Sequence, residues 1–82
     1  MSQILATDLI IESLRNSLPP VFNRKTVQEM MGHIINARTL ANLDCQKKGP
    51  PRKYLSKNVM YERETFLAWL EPKLSDKEGN AL

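Results

Sequence analysis

The sequence has few of the residues that build metal sites, disulfide frameworks and membrane spans. Its 82 residues include one histidine and one cysteine, His33 and Cys45, too few for a structural zinc site or a disulfide framework. No apolar run is long enough to cross a bilayer, and the N-terminus lacks the basic, apolar and small-residue regions of a secretory signal peptide. We therefore expect one small domain in the reducing cytoplasm, without membrane contact.

Catalytic residue sets are equally scarce. There is no glycine-rich phosphate loop, and Cys45 has no His–Asn or His–Asp set that would activate a thiol nucleophile. His33 is expected to be a loop residue rather than a metal ligand. Glu62, Glu64 and Glu71 are typical of solvated or helix-start acids rather than of a general acid–base pair. We expect no enzyme activity and no cofactor or metal.

What the chain does have is a segregated positive charge. The whole sequence carries a formal net charge of +3. Residues 36–58 contain six Lys/Arg and one acid, a net of +5, whereas the rest of the chain has a net of −2. This distribution indicates an anionic partner at one face, although a solvated charged loop explains the charge alone equally well.

The first predicted element is a helix over residues 4–18 with two apolar sides. One side of the helical wheel carries Ile4, Ile10, Ile11, Leu14 and Leu18, and roughly opposite lie Leu5 and Leu9. Such a helix either sits between two layers of its own domain or shares one side with another chain. Pro19 and Pro20 end it, because proline has no N–H to donate and restricts the residue before it.

A short second helix is predicted from Arg24 to Met31. Asn23 is its N-cap and Gly32 is its expected C′ residue. Arg24 and Lys25 in the first turn oppose the helix dipole. Their presence slightly favours an external anion bound at that helix end. The alternative is that the fold simply tolerates the unfavourable interaction of the two cations with the helix dipole.

A third helix is predicted from Ala37 to Cys45, with Asn36 as its cap. Its inward positions are Ala37, Leu40, Ala41 and Leu43, and its outward positions are Arg38, Thr39, Asn42, Cys45 and Gln46. Asp44 falls among the apolar positions. Either the helix frays at Asp44, or the carboxylate pairs with a neighbouring base.

Beyond a Gly-Pro-Pro corner at 49–51, the sequence predicts a hairpin and a closing helix. Two short strands, 53–55 and 59–61, are joined by a polar turn, and a helix follows from Arg63 to Glu71, stopped by Pro72. The remaining apolar side chains are expected to pack inside the domain, with Tyr54 and Tyr61 on the helices; these side chains are Met30, Met31, Tyr54, Met60, Tyr61, Phe66, Leu67, Trp69 and Leu70.

The predicted order is helix, helix, turn, helix, hairpin, helix, the layout of a winged helix-turn-helix. Three segments, FNRKTVQEMMG, RTLANLDCQKKGPP and VMYERETFLAWL, in this order resemble the MerR-like winged-helix domains of phage excisionases and AlpA-type regulators. The similarity runs from Phe22 to Leu70, about three-fifths of the chain. The expected fold is therefore mainly α with a small β-hairpin and an additional N-terminal helix.

The resemblance implies double-stranded DNA binding, and it assigns roles to the polar residues. The residues expected to contact base edges in the major groove are Arg38, Thr39 and Asn42. The residues expected to contact phosphates are Arg24, Lys25, Lys47, Lys48, Arg52, Lys53, Lys57 and Asn58. If about five phosphates are neutralised, a plot of log affinity against log salt concentration has a slope of about −4.5.

The division of the chain follows from these assignments. Residues 1–20 form the extra helix, a candidate dimer or partner contact; residues 21–74 form the DNA-binding domain; residues 75–82 are expected to be disordered. The implied role is an excisionase-like recombination directionality factor or a small phage or mobile-element transcriptional regulator. It would act as a homodimer or cooperative assembly on DNA, with an integrase as one further partner. The alternatives are a protein-interaction module that uses the first helix, and RNA binding.

Overall fold

A computed structural model describes residues 2–75, with side chains described from residue 6 onward. It contains four α-helices, a short 3₁₀ helix and a three-stranded antiparallel sheet. The helices are α1 (Ser2–Ser17), α2 (Arg24–Met30), α3 (Ala37–Cys45) and α4 (Arg63–Leu70), followed by the 3₁₀ helix (Glu71–Lys73). The strands are β1 (Val21–Phe22), β2 (Lys53–Leu55) and β3 (Asn58–Glu62).

The sheet has one strand more than the predicted hairpin. β3 is central, with β1 and β2 antiparallel on either side of it. Phe22 pairs with Tyr61 in the first ladder, and Leu55 pairs with Asn58 in the second, leaving a two-residue turn. The sequence did not predict β1, because a two-residue strand has no periodicity and forms only where a partner strand is in reach.

The ends of α2 and α3 are held by the local contacts that the sequence predicts. The side chain of Asn23 accepts a hydrogen bond from the backbone N–H of Thr26 at 2.9 Å, and that of Asn36 accepts one from Thr39 at 2.8 Å. Gly32 follows α2 with a φ of +61°, the left-handed conformation that the predicted C′ residue requires. The predicted span of α3 is confirmed at both ends.

One hydrophobic core joins α1 to the rest of the chain. Phe22 and Phe66 meet edge to face, with ring centroids 5.3 Å apart. Side chains from all four α-helices, from β1 and β3 and from two connecting segments form the core: Ile11, Leu14, Leu18, Phe22, Val27, Ile35, Leu40, Tyr61, Phe66, Leu67 and Leu70. α1 therefore shares its inner side with the sheet and the other helices.

Two apolar side chains predicted to pack inside the domain are instead exposed. Met30 is 42% exposed and Tyr54 is 59% exposed, so the predicted packing of both is wrong. Ile10, on the main apolar stripe of α1, is 45% exposed. Leu9, roughly opposite the main stripe, is exposed, so α1 does not lie between two layers of its own domain at this position. Leu5 and the predicted disordered tail, apart from Ser75, lie outside the described residues or side chains.

Within residues 2–75, no helix is both long enough and apolar enough to cross a membrane.

Candidate nucleic-acid interface

A buried carboxylate organises the side of the molecule where α2, α3 and the hairpin meet. Asp44, 3% exposed, lies near the end of α3. Its Oδ2 accepts hydrogen bonds from Tyr61 Oη at 2.7 Å and from Arg24 Nη2 at 2.8 Å. Its Oδ1 lies 3.5 Å from Arg52 Nη1. Of the two sequence interpretations of Asp44, pairing with a base is confirmed, and the bases are two arginines distant in sequence.

The same contacts account for the cation in the first turn of α2. Arg24 directs Nη2 to Asp44 and Nε to the Tyr61 hydroxyl, at 3.2 Å for the latter. The hydrogen bond with Asp44 is the main cause that raises the pKa of Arg24 above its ordinary value. An internal anion thus compensates this arginine, whereas neighbouring Lys25 is exposed.

The corner after α3 is shaped around the carboxylate. A Cβ placed on Gly49 would overlap Asp44 Oδ1, so only glycine fits this close approach. Pro50 is buried, and the Trp69 indole N–H donates to the Lys48 carbonyl at 3.1 Å. The chain therefore leaves α3 along a defined path and delivers Arg52 to Asp44.

Above Asp44 lies a cleft of about 420 Å³. We call it the cationic cleft, and it is lined by Arg24, Ala41, Asp44, Cys45, Lys47, Arg52 and Tyr54. Arg52 donates through Nε to the Tyr54 hydroxyl at 3.0 Å, and its guanidinium carbon lies 5.8 Å from the centre of the Tyr54 ring. The cleft thus brings together α2, the second half of α3, and the hairpin.

The predicted base-contact residues occupy the solvent side of α3. By the 100° advance per residue, Arg38 and Asn42 share an arc of about 100° with Ala41 and Cys45, which line the cationic cleft. Arg38 and Asn42 are exposed. Thr39 is half-buried in the first turn, with its backbone N–H bound to the Asn36 cap, and is the least available of the three.

The remaining predicted phosphate contacts are exposed, and none of the cations among them forms an ion pair with any residue from 6 to 75. These are Lys25 on α2, Lys47 and Lys48 after α3, and Lys53, Lys57 and Asn58 on the hairpin. Arg38 is likewise without a carboxylate partner in that range. By contrast, the arginines at 24 and 52 share the Asp44 carboxylate.

Sequence reasoning missed two participants in this region. Tyr54 was assigned to core packing, yet its hydroxyl lies at the cationic cleft. Tyr61 was correctly assigned to the core, but its hydrogen bonds to Asp44 and Arg24 were not foreseen. Both contacts of Tyr61 span many residues, 17 to Asp44 and 37 to Arg24, so no local pattern announces them.

Comparison of the chain with protein-family models, with curated proteins and with solved structures finds no match.

Proposed function

We propose that this protein binds double-stranded DNA as a winged helix-turn-helix. In this assignment α2 and α3 are the helix-turn-helix, α3 is the recognition helix, and the β2–β3 hairpin is the wing. Arg38 and Asn42 read base edges, since arginine matches the paired acceptors of guanine and asparagine matches adenine. The exposed lysines around them contact phosphates.

The observation that carries the proposal is the common surface of α3 and the hairpin. Ala41 and Cys45 line the same cleft as Arg52 and Tyr54, and the outer arc of α3 continues from that cleft. Lys47 and Arg52, two of the six cations of residues 36–58, line this cleft, which supports a cationic region shared by α3 and the hairpin. A polyanionic duplex complements such a region.

The first test is duplex binding across a salt series, measured by fluorescence anisotropy with random-sequence DNA. With about five phosphates contacted, we expect roughly a 500-fold loss of affinity between about 50 and 200 mM salt. A single-stranded competitor distinguishes duplex binding from the RNA or single-strand alternative. Equal or better competition by single strands would contradict the proposal.

Charge reversal locates the binding surface. We expect Arg38→Glu and Lys57→Glu each to weaken duplex binding at least about tenfold, because each turns an attraction to DNA into repulsion. Lys73→Glu is the matched control: it makes the same charge change in the 3₁₀ helix, at a residue that is not among the assigned DNA contacts. Arg52 is not reversed, since a second carboxylate beside Asp44 would endanger the fold.

A loss of affinity that is equal in all three variants would mean that net charge alone matters. That result would remove the proposed surface.

The more specific proposal is an excisionase-like recombination directionality factor or a small phage or mobile-element regulator. It rests on the resemblance of the segments from Phe22 to Leu70. One copy offers a single recognition helix of nine residues, so useful specificity requires dimers or several copies on adjacent sites. Excision and integration assays with the cognate integrase, compared with a promoter-reporter assay, separate the two roles.

The rival function is a protein-interaction module that uses α1. Leu9 is 64% exposed and Ile10 45% exposed on this helix, which favours a partner there. Under this reading Leu9→Glu disrupts self-association or partner binding, measured by sedimentation, and leaves duplex affinity per monomer unchanged. Under the DNA-binding reading the charge reversals at 38 and 57 are the variants that matter.

A further inference from the structure

We infer that the cationic cleft is a subsite for one phosphate of the DNA backbone, in which Arg52, Lys47 and the Tyr54 hydroxyl are the donors and Asp44 is a positioning residue. This inference rests on the proposed function and adds to it a defined place, a neutral donor and an internal carboxylate. It also gives Arg24 a different part from the one that the sequence predicts.

The donors come from separate parts of the chain and converge on one cavity. Lys47 follows α3, Arg52 directly precedes β2, and Tyr54 lies within β2. Counting Arg24, the lining has three cations against the single carboxylate of Asp44, a net of +2. The Asp44 carboxylate is offset by its contacts with Arg24 and Arg52, so the lining as a whole stays positive towards a ligand.

The Tyr54 hydroxyl is poised to donate. It already accepts a hydrogen bond from Arg52 Nε at 3.0 Å, so its own proton is directed elsewhere. A hydroxyl has one proton and two lone pairs, and this arrangement uses a lone pair only. Among residues 6–75 the Tyr54 hydroxyl donates to no side chain, and a phosphate oxygen entering the cleft can accept its proton.

Asp44 fixes the arginines rather than meeting the ligand. It binds Arg24 Nη2 at 2.8 Å and lies 3.5 Å from Arg52 Nη1. A guanidinium has five N–H donors, so an arginine held at one edge still presents the others. Arg24 directs Nη2 and Nε to the buried side chains of Asp44 and Tyr61, and we assign it to holding the carboxylate in place. Arg52 instead donates through Nε to the hydroxyl of the exposed Tyr54, which faces the ligand in this inference.

A backbone phosphodiester fits the position of the cleft better than a free phosphate monoester does. The cleft adjoins the arc of α3 that carries Arg38 and Asn42, so a duplex lying on that arc places a phosphate near it. The inference is therefore that the ligand is part of DNA, and the experiments separate this source from a free anion.

The first experiment titrates the free protein with inorganic phosphate and, separately, with dimethyl phosphate, followed by amide NMR shifts. We expect the largest shifts at residues lining the cleft, among them Cys45, Lys47 and Tyr54, and small shifts at Lys57 on the hairpin turn. Shifts of the same size at every exposed lysine would overturn the inference. This measurement needs no duplex, so it judges the cleft even if DNA binding fails.

The second experiment measures duplex affinity and its salt dependence for three variants. Tyr54→Phe removes one neutral donor, and Arg52→Lys keeps the charge but loses the guanidinium fork. Both should weaken binding about 5- to 20-fold, because each loses hydrogen bonds to a charged group. The salt slope should not change, because the number of counterions released on binding stays the same. Lys57→Gln, the control outside the cleft, should instead reduce the magnitude of the salt slope by about 0.9.

The outcomes separate the two proposals. Absence of duplex binding in the unaltered protein defeats the proposed function. If Tyr54→Phe and Arg52→Lys bind duplex as tightly as the unaltered protein does, the phosphate subsite is wrong and the proposed function stands. If phosphate binds in the cleft but duplex affinity is unchanged in both variants, the cleft is a site for free anions. That result also overturns the inference. Thermal unfolding of each variant verifies that the fold is intact.

Discussion

Asp44 is the residue on which the arrangement of α2, α3 and the hairpin depends most. Its carboxylate is buried and contacts Arg24, Arg52 and Tyr61. Taking one partner out of a buried ion pair leaves the others without compensation, which is costlier than the loss of the contact itself. The half-buried arginines recover some hydration, and this moderates the effect.

We expect Asp44→Asn to lower the free energy of unfolding by about 3 kcal/mol. For a domain of this size the midpoint of thermal unfolding should fall by more than about 10 °C. Asp8→Asn on the exposed surface of α1 is the matched control and should change stability by less than about 0.5 kcal/mol. Equal stability of the two variants, measured by urea unfolding, would show that the Asp44 contacts contribute nothing net.

Tyr61 predicts a loss of stability in alkaline solution. Its burial, followed by its hydrogen bond to Asp44, raises the pKa from the ordinary value of 10.0 to about 12. The unfolded chain therefore loses this proton at a lower pH than the folded one, so stability falls as pH rises. The protonated Tyr61 hydroxyl therefore contributes about 2–3 kcal/mol to the free energy of unfolding. This contribution is present in full below about pH 10 and is lost by about pH 12.

Two measurements check this expectation. Tyr54→Phe leaves Tyr61 as the one tyrosine in the sequence, so its tyrosinate absorbance should appear near pH 12. Tyr61→Phe should show a smaller loss of stability between about pH 10 and 12 than the unaltered protein does, because the titrating group is gone. A Tyr61 midpoint near 10 would contradict both expectations.

At the scale of the elements, the ends of α2 and α3 use one motif with different residues. The N–H of Lys48 donates to the Leu43 carbonyl at 2.8 Å and that of Lys47 to the Asp44 carbonyl at 3.1 Å, the paired bonds of a Schellman ending. α2 ends in the same way at Gly32. After α3 the left-handed position belongs to Lys47, with a φ of +62°, where a side chain is strained.

Lys47→Gly should therefore stabilise the fold while it weakens DNA binding. Relief of the left-handed strain exceeds the entropy cost of glycine, and we expect a gain of about 0.5–1 kcal/mol. Lys47→Ala removes the same charge without relieving the strain, so it serves as the control and should not be stabilised. Both variants should lose about 0.9 from the magnitude of the salt slope.

Thermal unfolding and anisotropy titrations measure the two effects independently. If Lys47→Ala is stabilised as much as Lys47→Gly, the gain comes from removal of the charge and not from relief of backbone strain. A salt slope unchanged in both variants would remove Lys47 from the phosphate contacts.

At the scale of the whole molecule, α1 belongs to the common core. Ile11, Leu14 and Leu18 lie in the same cluster as Phe22 and Phe66. Arg63 strengthens this connection, since its backbone N–H donates to the Pro20 carbonyl at 3.0 Å and its guanidinium to the Leu18 carbonyl at 3.2 Å. A chain of 82 residues has little apolar surface to spare.

Deletion of residues 1–19 should therefore abolish cooperative folding rather than release an intact DNA-binding domain. Three buried aliphatic side chains would be lost, each contributing about 2–3 kcal/mol by transfer from water, against a total stability of about 5–15 kcal/mol. Amide NMR dispersion and thermal unfolding report the result. A truncated chain with dispersed peaks and a sharp transition would show that α1 is dispensable.

Much of the local architecture could be predicted from the sequence. The bounds of α3, its Asn36 cap, the Asn23 cap of α2 and the left-handed Gly32 all depend on residues within a few positions of each other. Helix periodicity and cap chemistry are short-range effects, so the sequence displays them directly. The buried positions of Leu40 and Leu43 follow from the same periodicity.

Contacts between distant segments decided the rest. β1 exists because Val21 and Phe22 come to lie beside β3, and Tyr54 is exposed because all three residues of β2 are left uncovered by the rest of the domain. The position of Asp44 among apolar residues indicates a basic partner but not that the partners are Arg24 and Arg52, and the cationic cleft above it has no local signal. The amino-acid order by itself determined the helices, their caps and the concentration of charge; which charges are neutralised internally and which remain free for a ligand depends on distances that only tertiary packing sets.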